Sequence, residues 1–203
     1  INLILFFSSI MGRNVSLCCF LFSSILSTDI LPFHIKQHKL TFLPIIEEKN
    51  KIKLIQNSTD EKIMPNSTHY FKNIESLWEN NRTGKSSSFS VYEYLDYHGK
   101  LSAQNPKAKF KVVYNATGAN IVSCVLETEK PYSFKFSDNE LKTTGIIIDH
   151  SCFYFDTNDE DEAHYVCAVL NSPIINQTIK PLQAKGKFGP RSIHLLPLTY
   201  PIP

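Results

Sequence analysis

What the chain has little of narrows its class first. Glycine supplies only seven of 203 residues, so collagen-like repeats and Gly/Ser linkers are excluded. Neither sign of charge dominates: 21 lysines and arginines face 19 acids, for a net charge of +2. Bulk charge therefore predicts neither a polyanion binder nor an acidic solvating tail. Arg13 interrupts the apolar N-terminal stretch before it reaches the ~18 uncharged residues of a membrane span. The five cysteines (Cys18, Cys19, Cys124, Cys152, Cys167) include no CxxC pair. They show no Cys/His spacing suited to tetrahedral zinc, so no metal site is expected. Buried free thiols are the simpler reading, and the odd count speaks against a disulfide framework.

Catalytic signatures are missing as well. GxGxxG, the P-loop, GxSxG and HExxH do not occur, and no catalytic residue is expected. Asp149-His150-Ser151 sets three triad letters in a row, but neighbours on a strand face opposite sides and cannot converge. The acidic run Asp159 to Glu162 reads as a solvated helix start rather than a metal site.

What is present points to a folded chain with an uneven end. At 42% apolar and 12% aromatic it can bury a core, which excludes disorder throughout. Residues 163–203 hold Lys180, Lys185, Lys187 and Arg191 and no acid. The chain is neutral in bulk but basic at its end. It opens on Ile1 and closes on Tyr200-Pro201-Ile202-Pro203, which reads as a piece of a longer protein.

Periodicity supplies the elements. Lys39–Ile45 and Lys51–Gln56 alternate as two strands of a hairpin across Glu47-Glu48-Lys49-Asn50. Tyr70–Glu79 sets Phe71, Ile74, Leu77 and Trp78 at helical spacing, and Arg82–Ser90 reads as a Gly/Ser loop. Val91–Tyr97 reads as a short helix whose three tyrosines suit base stacking, but rings at helical spacing are expected in the core. Strands are expected at Phe110–Tyr114 and Ile121–Leu126, joined by the tight loop Asn115–Asn120. Tyr132–Phe136 follows, then a strand pair, Gly145–Asp149 with Cys152–Phe155. One helix begins after Asp156-Thr157-Asn158, with Ala163, Val166, Cys167 and Leu170 as its apolar stripe. A second starts at Ser172-Pro173, its face continued by Ile175, Thr178, Ile179 and Leu182. The fold class expected is α+β: a twisted, mostly antiparallel sheet with two C-terminal helices and a basic loop. Residues 1–28 form an apolar N-terminal segment ahead of a domain at 29–203.

Two functional classes compete. Met11 to Thr28 imitates a secretory signal, with Arg13, an apolar run and small residues in order. Six Asn-X-Ser/Thr triplets, at Asn14, Asn57, Asn66, Asn81, Asn115 and Asn176, would then be glycosylation acceptors. Against this stands Lys185 to His194, whose lysines, arginine and glycines suit phosphate contact. On composition alone an ordinary solvated loop is the preferred reading of that segment.

The stretch Ile146 to Pro203 shifts the balance toward the second class. It resembles the C-terminal target-recognition region of adenine-N6 DNA methyltransferases of the restriction-modification kind, including the TaqI-like specificity domain and fused restriction-methylase enzymes. The resemblance runs through Asp149-His150, the acidic turn Asp156–Glu162, Leu170-Asn171-Ser172, the basic loop Lys185–Arg191 and Pro201-Ile202-Pro203, in that order. Lys111–Leu126 and Asp29-Ile30-Leu31-Pro32-Phe33 extend it. The chain departs from that family in lacking the (Asn/Asp/Ser)-Pro-Pro-(Tyr/Phe) motif and a glycine loop for S-adenosylmethionine. The resemblance therefore implies a cytoplasmic specificity part that reads double-stranded DNA, binds no cofactor itself, and depends on a methyltransferase catalytic domain or subunit that carries S-adenosylmethionine. Charge and loop chemistry nominate Lys185, Lys187, Arg191 and His194, with Asn115, Thr117 and Asn120, as the DNA-binding residues.

Overall fold

The structure is a computed structural model that describes residues 21–48, 51–54, 65–130, 132–136 and 139–182. In chain order its elements are β1 (Leu21–Ile25), β2 (Ile30–Leu31), β3 (His34–Ile35), β4 (Lys39–Phe42), β5 (Ile45–Glu48), β6 (Lys51–Leu54), α1 (Pro65–Asn81), α2 (Val91–Leu95), β7 (Phe110–Asn115), β8 (Ser123–Glu127), β9 (Ser133–Phe136), β10 (Asn139–Lys142), β11 (Gly145–Ile148), β12 (Cys152–Thr157), α3 (Glu160–Leu170) and α4 (Pro173–Ile179). The class is α+β. Two three-stranded sheets, ordered β12-β7-β8 and β11-β1-β4, form the body, and β2-β3, β5-β6 and β9-β10 are two-stranded. Pairing is antiparallel except between β1 and β11.

The layering follows from alternation along two strands. Val112 and Val113 are neighbours on β7, both fully buried, and a strand sends neighbours to opposite faces. Val112 joins Ile121, Ala163, Cys167, Leu170, Ile175 and Ile179 beneath α3 and α4. Val113 joins Ile25, Cys124, Ile146, Ile148 and Cys152, between the two sheets. On β11, Ile147 turns away from Ile146 and Ile148 to meet Leu43, Ile45, Ile52 and Leu101. The order is helices, sheet, sheet, outer hairpin. Each fully buried aliphatic side chain contributes about 1.5–3 kcal/mol.

Local chemistry sets the helix starts. Asp159 Oδ1 accepts from Glu162 N at 3.0 Å, and Glu160, Asp161 and Glu162 fill a first turn whose dipole favours anions. Ser172 caps α4 through Ile175 N, with Pro173 following it, a position that has no use for an N–H. One cation lies inside: Lys111, 1% exposed, donates to Asp156 Oδ1 at 2.7 Å and to Asn105 O at 3.0 Å. Its ammonium lies 4.9 Å from the centroid of the Tyr154 ring. Burial lowers its pKa, and Asp156 opposes that shift.

Several expectations change. The strand expected over Lys39–Ile45 divides at Leu43-Pro44: β4 pairs with β1, and β5 makes the hairpin with β6. Proline has no N–H for the ladder, so the chain changes sheets there. Gly145–Asp149 and Cys152–Phe155 are not a pair, since β11 lies against β1 and β12 against β7. Asp149-His150-Ser151 is a turn rather than strand, in which His150 and Ser151 each hydrogen-bond to Asp149; Ser151 Oγ also accepts from Ser27 N, and a triad order, serine to histidine to aspartate, is not formed among the described residues. The described part of residues 1–28 supplies the middle strand of a sheet, β1, with Ile25 fully buried. Leu77, set at helical spacing with Phe71, Ile74 and Trp78, is 63% exposed. Cys124, Cys152 and Cys167 are buried free thiols, and burial pushes the first two up to about 12. Among the described residues no helix is long and apolar enough to cross a membrane.

Candidate nucleic-acid interface

Among the described residues no strand pairs with the outer edge of β8. An edge left with unpaired N–H and C=O groups is costly when buried and adhesive when exposed. Here side-chain amides occupy it. Asn171, at the end of α3, accepts from Ser123 N and donates to Ser123 O, both at 2.9 Å. Asn176, on α4, does the same to Ile121, accepting at 2.6 Å and donating at 3.2 Å. Gln104 repeats the device on β11, with both bonds to the Ile148 backbone. The Leu170-Asn171-Ser172 motif is thus a corner with three tasks: Leu170 is buried in the core, Asn171 pins β8, and Ser172 caps α4.

That corner fixes the loops at one end of the sheet. Ser123 O also accepts from Phe33 N at 2.9 Å, so the β2-β3 hairpin and the α3–α4 corner share one carbonyl. Across the sheet end, Ala116 N donates to Ser151 O at 3.0 Å, which joins the 115–120 loop to the 149–151 turn. Asn115 organises the loop from within. Its Nδ2 donates to Thr117 O at 2.7 Å and Asn120 O at 2.9 Å, and its Oδ1 accepts from Val122 N at 2.9 Å. Gly118, at φ 138°, supplies a conformation that other residues rarely adopt.

The expected contact residues separate on this geometry. Thr117 and Asn120 stand exposed on the braced loop, whereas Asn115 is buried, its amide committed to the loop backbone. Asn115 therefore positions the loop instead of reaching a partner. Lys185, Lys187, Arg191 and His194 lie outside the described residues.

Beyond the 149–151 turn opens a cleft of about 460 Å³ lined by Tyr94, Tyr97, Lys100, Ile147, Asp149 and His150, among others. Tyr94 is 50% exposed and Tyr97 45%, so these tyrosines, expected in the core, form a wall instead. Tyr94 rests on Trp78 with centroids 4.5 Å apart, and Tyr97 on Phe89 at 5.6 Å. His150 Nδ1 lies 3.1 Å from Asp149 Oδ2. Burial pushes the Asp149 carboxyl up, but hydrogen bonds from Ser151 and the adjacent His150 outweigh it and hold the pKa below the usual value. The wall offers aromatic faces beside a lysine and a histidine, a combination suited to stacking bases next to phosphates. Read from sequence, base stacking stands second to the core for these rings. The signal was the density of the run Tyr92-Glu93-Tyr94-Leu95-Asp96-Tyr97-His98-Gly99-Lys100, too polar between its rings for a core helix.

No protein-family model matches the chain, and no curated protein matches it.

Proposed function

We propose that the chain is a DNA target-recognition module of the adenine-N6 methyltransferase kind, acting in the cytoplasm on duplex DNA beside a separate catalytic domain or subunit that binds S-adenosylmethionine. The observation that carries the reading is the organisation of one sheet end. Amides from two helices brace a loop whose Thr117 and Asn120 stay exposed, next to an exposed tyrosine wall with Lys100 and His150. Rigid loops that present small polar side chains read base edges, while cations set the register on phosphate. Lys185, Lys187 and Arg191 supply the phosphate contacts in this reading, as the sequence proposes.

Secretion is the competing class, and two observations count against it. Cleavage after the apolar start near Thr28 would remove β1, the strand between β4 and β11. Acceptor nitrogens at Asn115 and Asn176 are engaged in backbone bonds. Buried free thiols agree with a reducing compartment.

The test is fluorescence anisotropy of the full chain with a mixed-sequence duplex across a salt series. Affinity is expected to fall steeply with salt, and the combined Lys185→Ala, Lys187→Ala and Arg191→Ala variant to lower the log–log slope by about 3. A flat salt response, or an N-glycan on Asn57 or Asn66 of the native protein, would overturn the proposal.

A further inference from the structure

The tip of the β2-β3 hairpin carries the least expected side chain on the surface. Two residues, Pro32 and Phe33, connect Leu31 to its partner His34. Proline suits the first of these turn positions, and the second calls for a positive φ that glycine or asparagine adopts without cost. Phe33 occupies it at φ 66° and is 64% exposed. A bulky residue in that conformation is a genuine outlier, and such outliers persist where function holds them. Burial does not explain the ring. Ile30 and Ile35 already serve the core from the inner face of the hairpin, and Phe33 projects beyond them with Leu31, itself 36% exposed.

The mounting is stiff. Phe33 N donates to Ser123 O, the carbonyl that Asn171 also holds. At the hairpin base, Lys36 N donates to Asp29 O at 2.8 Å. The fully buried Asp29 carboxylate accepts from Leu26 N at 3.1 Å and from Gln37 Nε2 at 2.8 Å. Nearest the tip, residues 30–36 include His34 and Lys36, both exposed, and no acid, while further down Lys39 lies 3.7 Å from the buried Asp29 carboxylate. An apolar tip on a braced hairpin with an exposed lysine and a histidine beside it complements a polyanion with an apolar interior.

Resting on the DNA-recognition reading, we infer that Phe33 is a wedge: on docking, its ring enters between two adjacent base pairs and partly unstacks them while Lys36 and His34 meet the flanking phosphates. Apolar wedges of this kind unstack a step and kink the duplex, and the bend brings more DNA onto the protein surface. The strained backbone of Phe33 aims the ring outward from a turn too short to fold it back.

The experiment uses the full chain with relaxed closed-circular plasmid and topoisomerase I, and reads the linking-number change per bound protein. Wild type and Phe33→Trp are expected to unwind the plasmid. Phe33→Gly, which suits the positive φ and keeps the fold, is expected to abolish unwinding and weaken binding to a mixed-sequence duplex at least about fivefold, with the salt slope unchanged. Far-UV circular dichroism melts of Phe33→Gly, expected to match wild type, exclude misfolding as the cause. Salt-sensitive binding by wild type without unwinding, or unwinding by Phe33→Gly equal to wild type, overturns the wedge and leaves the recognition reading standing. Absence of any DNA binding by wild type overturns both.

Discussion

Replacing Asn171 by alanine tests the amide bracing at its central point. The substitution removes two bonds of 2.9 Å to the Ser123 backbone. Ser123 O keeps its bond from Phe33 N, so one polar group is orphaned, the Ser123 N–H, in a residue with no exposed surface. An orphaned buried donor costs about 1–3 kcal/mol, and the second lost bond adds about 0.5–1.5. The end of α3 gains little from alanine, because Asn171 is the C-cap. The expected loss is about 2–4 kcal/mol, read from urea denaturation by far-UV circular dichroism, with faster amide exchange over 121–127. Asn80, exposed on α1, is the control, and Asn80→Ala should change stability by less than about 0.5 kcal/mol. Asn171→Asp refines the test. Its carboxylate still accepts from Ser123 N but sets oxygen against Ser123 O, so the variant should recover relative to wild type as pH falls through about 4 and the carboxyl gains a proton to donate. If Asn171→Ala costs no more than the Asn80 control, the amides do not hold this edge, and the account of how Thr117 and Asn120 are presented fails with it.

Two further predictions concern titratable groups whose pKa values burial lowers. Asp156→Ala leaves the Lys111 ammonium without its carboxylate and should cost about 3–5 kcal/mol at neutral pH, whereas Lys111→Met with Asp156→Leu should recover most of it. Because burial lowers the Lys111 pKa, the unfolded chain holds more protons just below pH 10.5, and the Asp156→Ala variant should gain stability relative to wild type as pH rises towards that value. His38 is the second group. Burial lowers its pKa and Asp29 opposes the shift; Nδ1 lies 2.8 Å from Ser23 Oγ, and the ring lies against Tyr132 with centroids 3.6 Å apart. Unfolded histidine protonates near 6.5 while the folded one resists, so stability is fully present above that pH and declines as pH falls below it. Thermal melts between pH 5 and 8 should show that step in wild type and lose it in His38→Gln.

The parts of the fold legible in the sequence are those whose signals are local. Ser172-Pro173 marks a helix start by cap and ring geometry alone, and Ala163, Cys167 and Leu170 lie buried where their spacing puts them. Phe110–Asn115 and Ser123–Glu127 pair across a loop whose residues announce a turn. The partner of β11 was not legible. Gly145–Ile148 lies parallel to Leu21–Ile25, more than a hundred residues away, and a run of isoleucines carries no mark of which strand it joins. The same limit hid the site. Exposure of Tyr94 and Tyr97 depends on what lies across the cleft, Ile147 to His150, which no spacing within 91–97 encodes.

The asparagines show how misleading side-chain type alone is at such a site. Asn115, Asn120, Asn171 and Asn176 are chemically identical, and polar loop chemistry nominates the first two equally as DNA contacts. Three of the four are consumed by backbone groups that a missing strand or a tight loop leaves open. Asn120 alone of the four is exposed and is held by its carbonyl, not its amide. In Asn115, Asn171 and Asn176 both amide hydrogens and one lone pair of the oxygen are spent on the fold, which leaves no donor for a base edge. On the proposed DNA-recognition reading, the residues free to meet bases at this sheet end are those the bracing leaves over: Thr117, Asn120 and the ring of Phe33, all exposed.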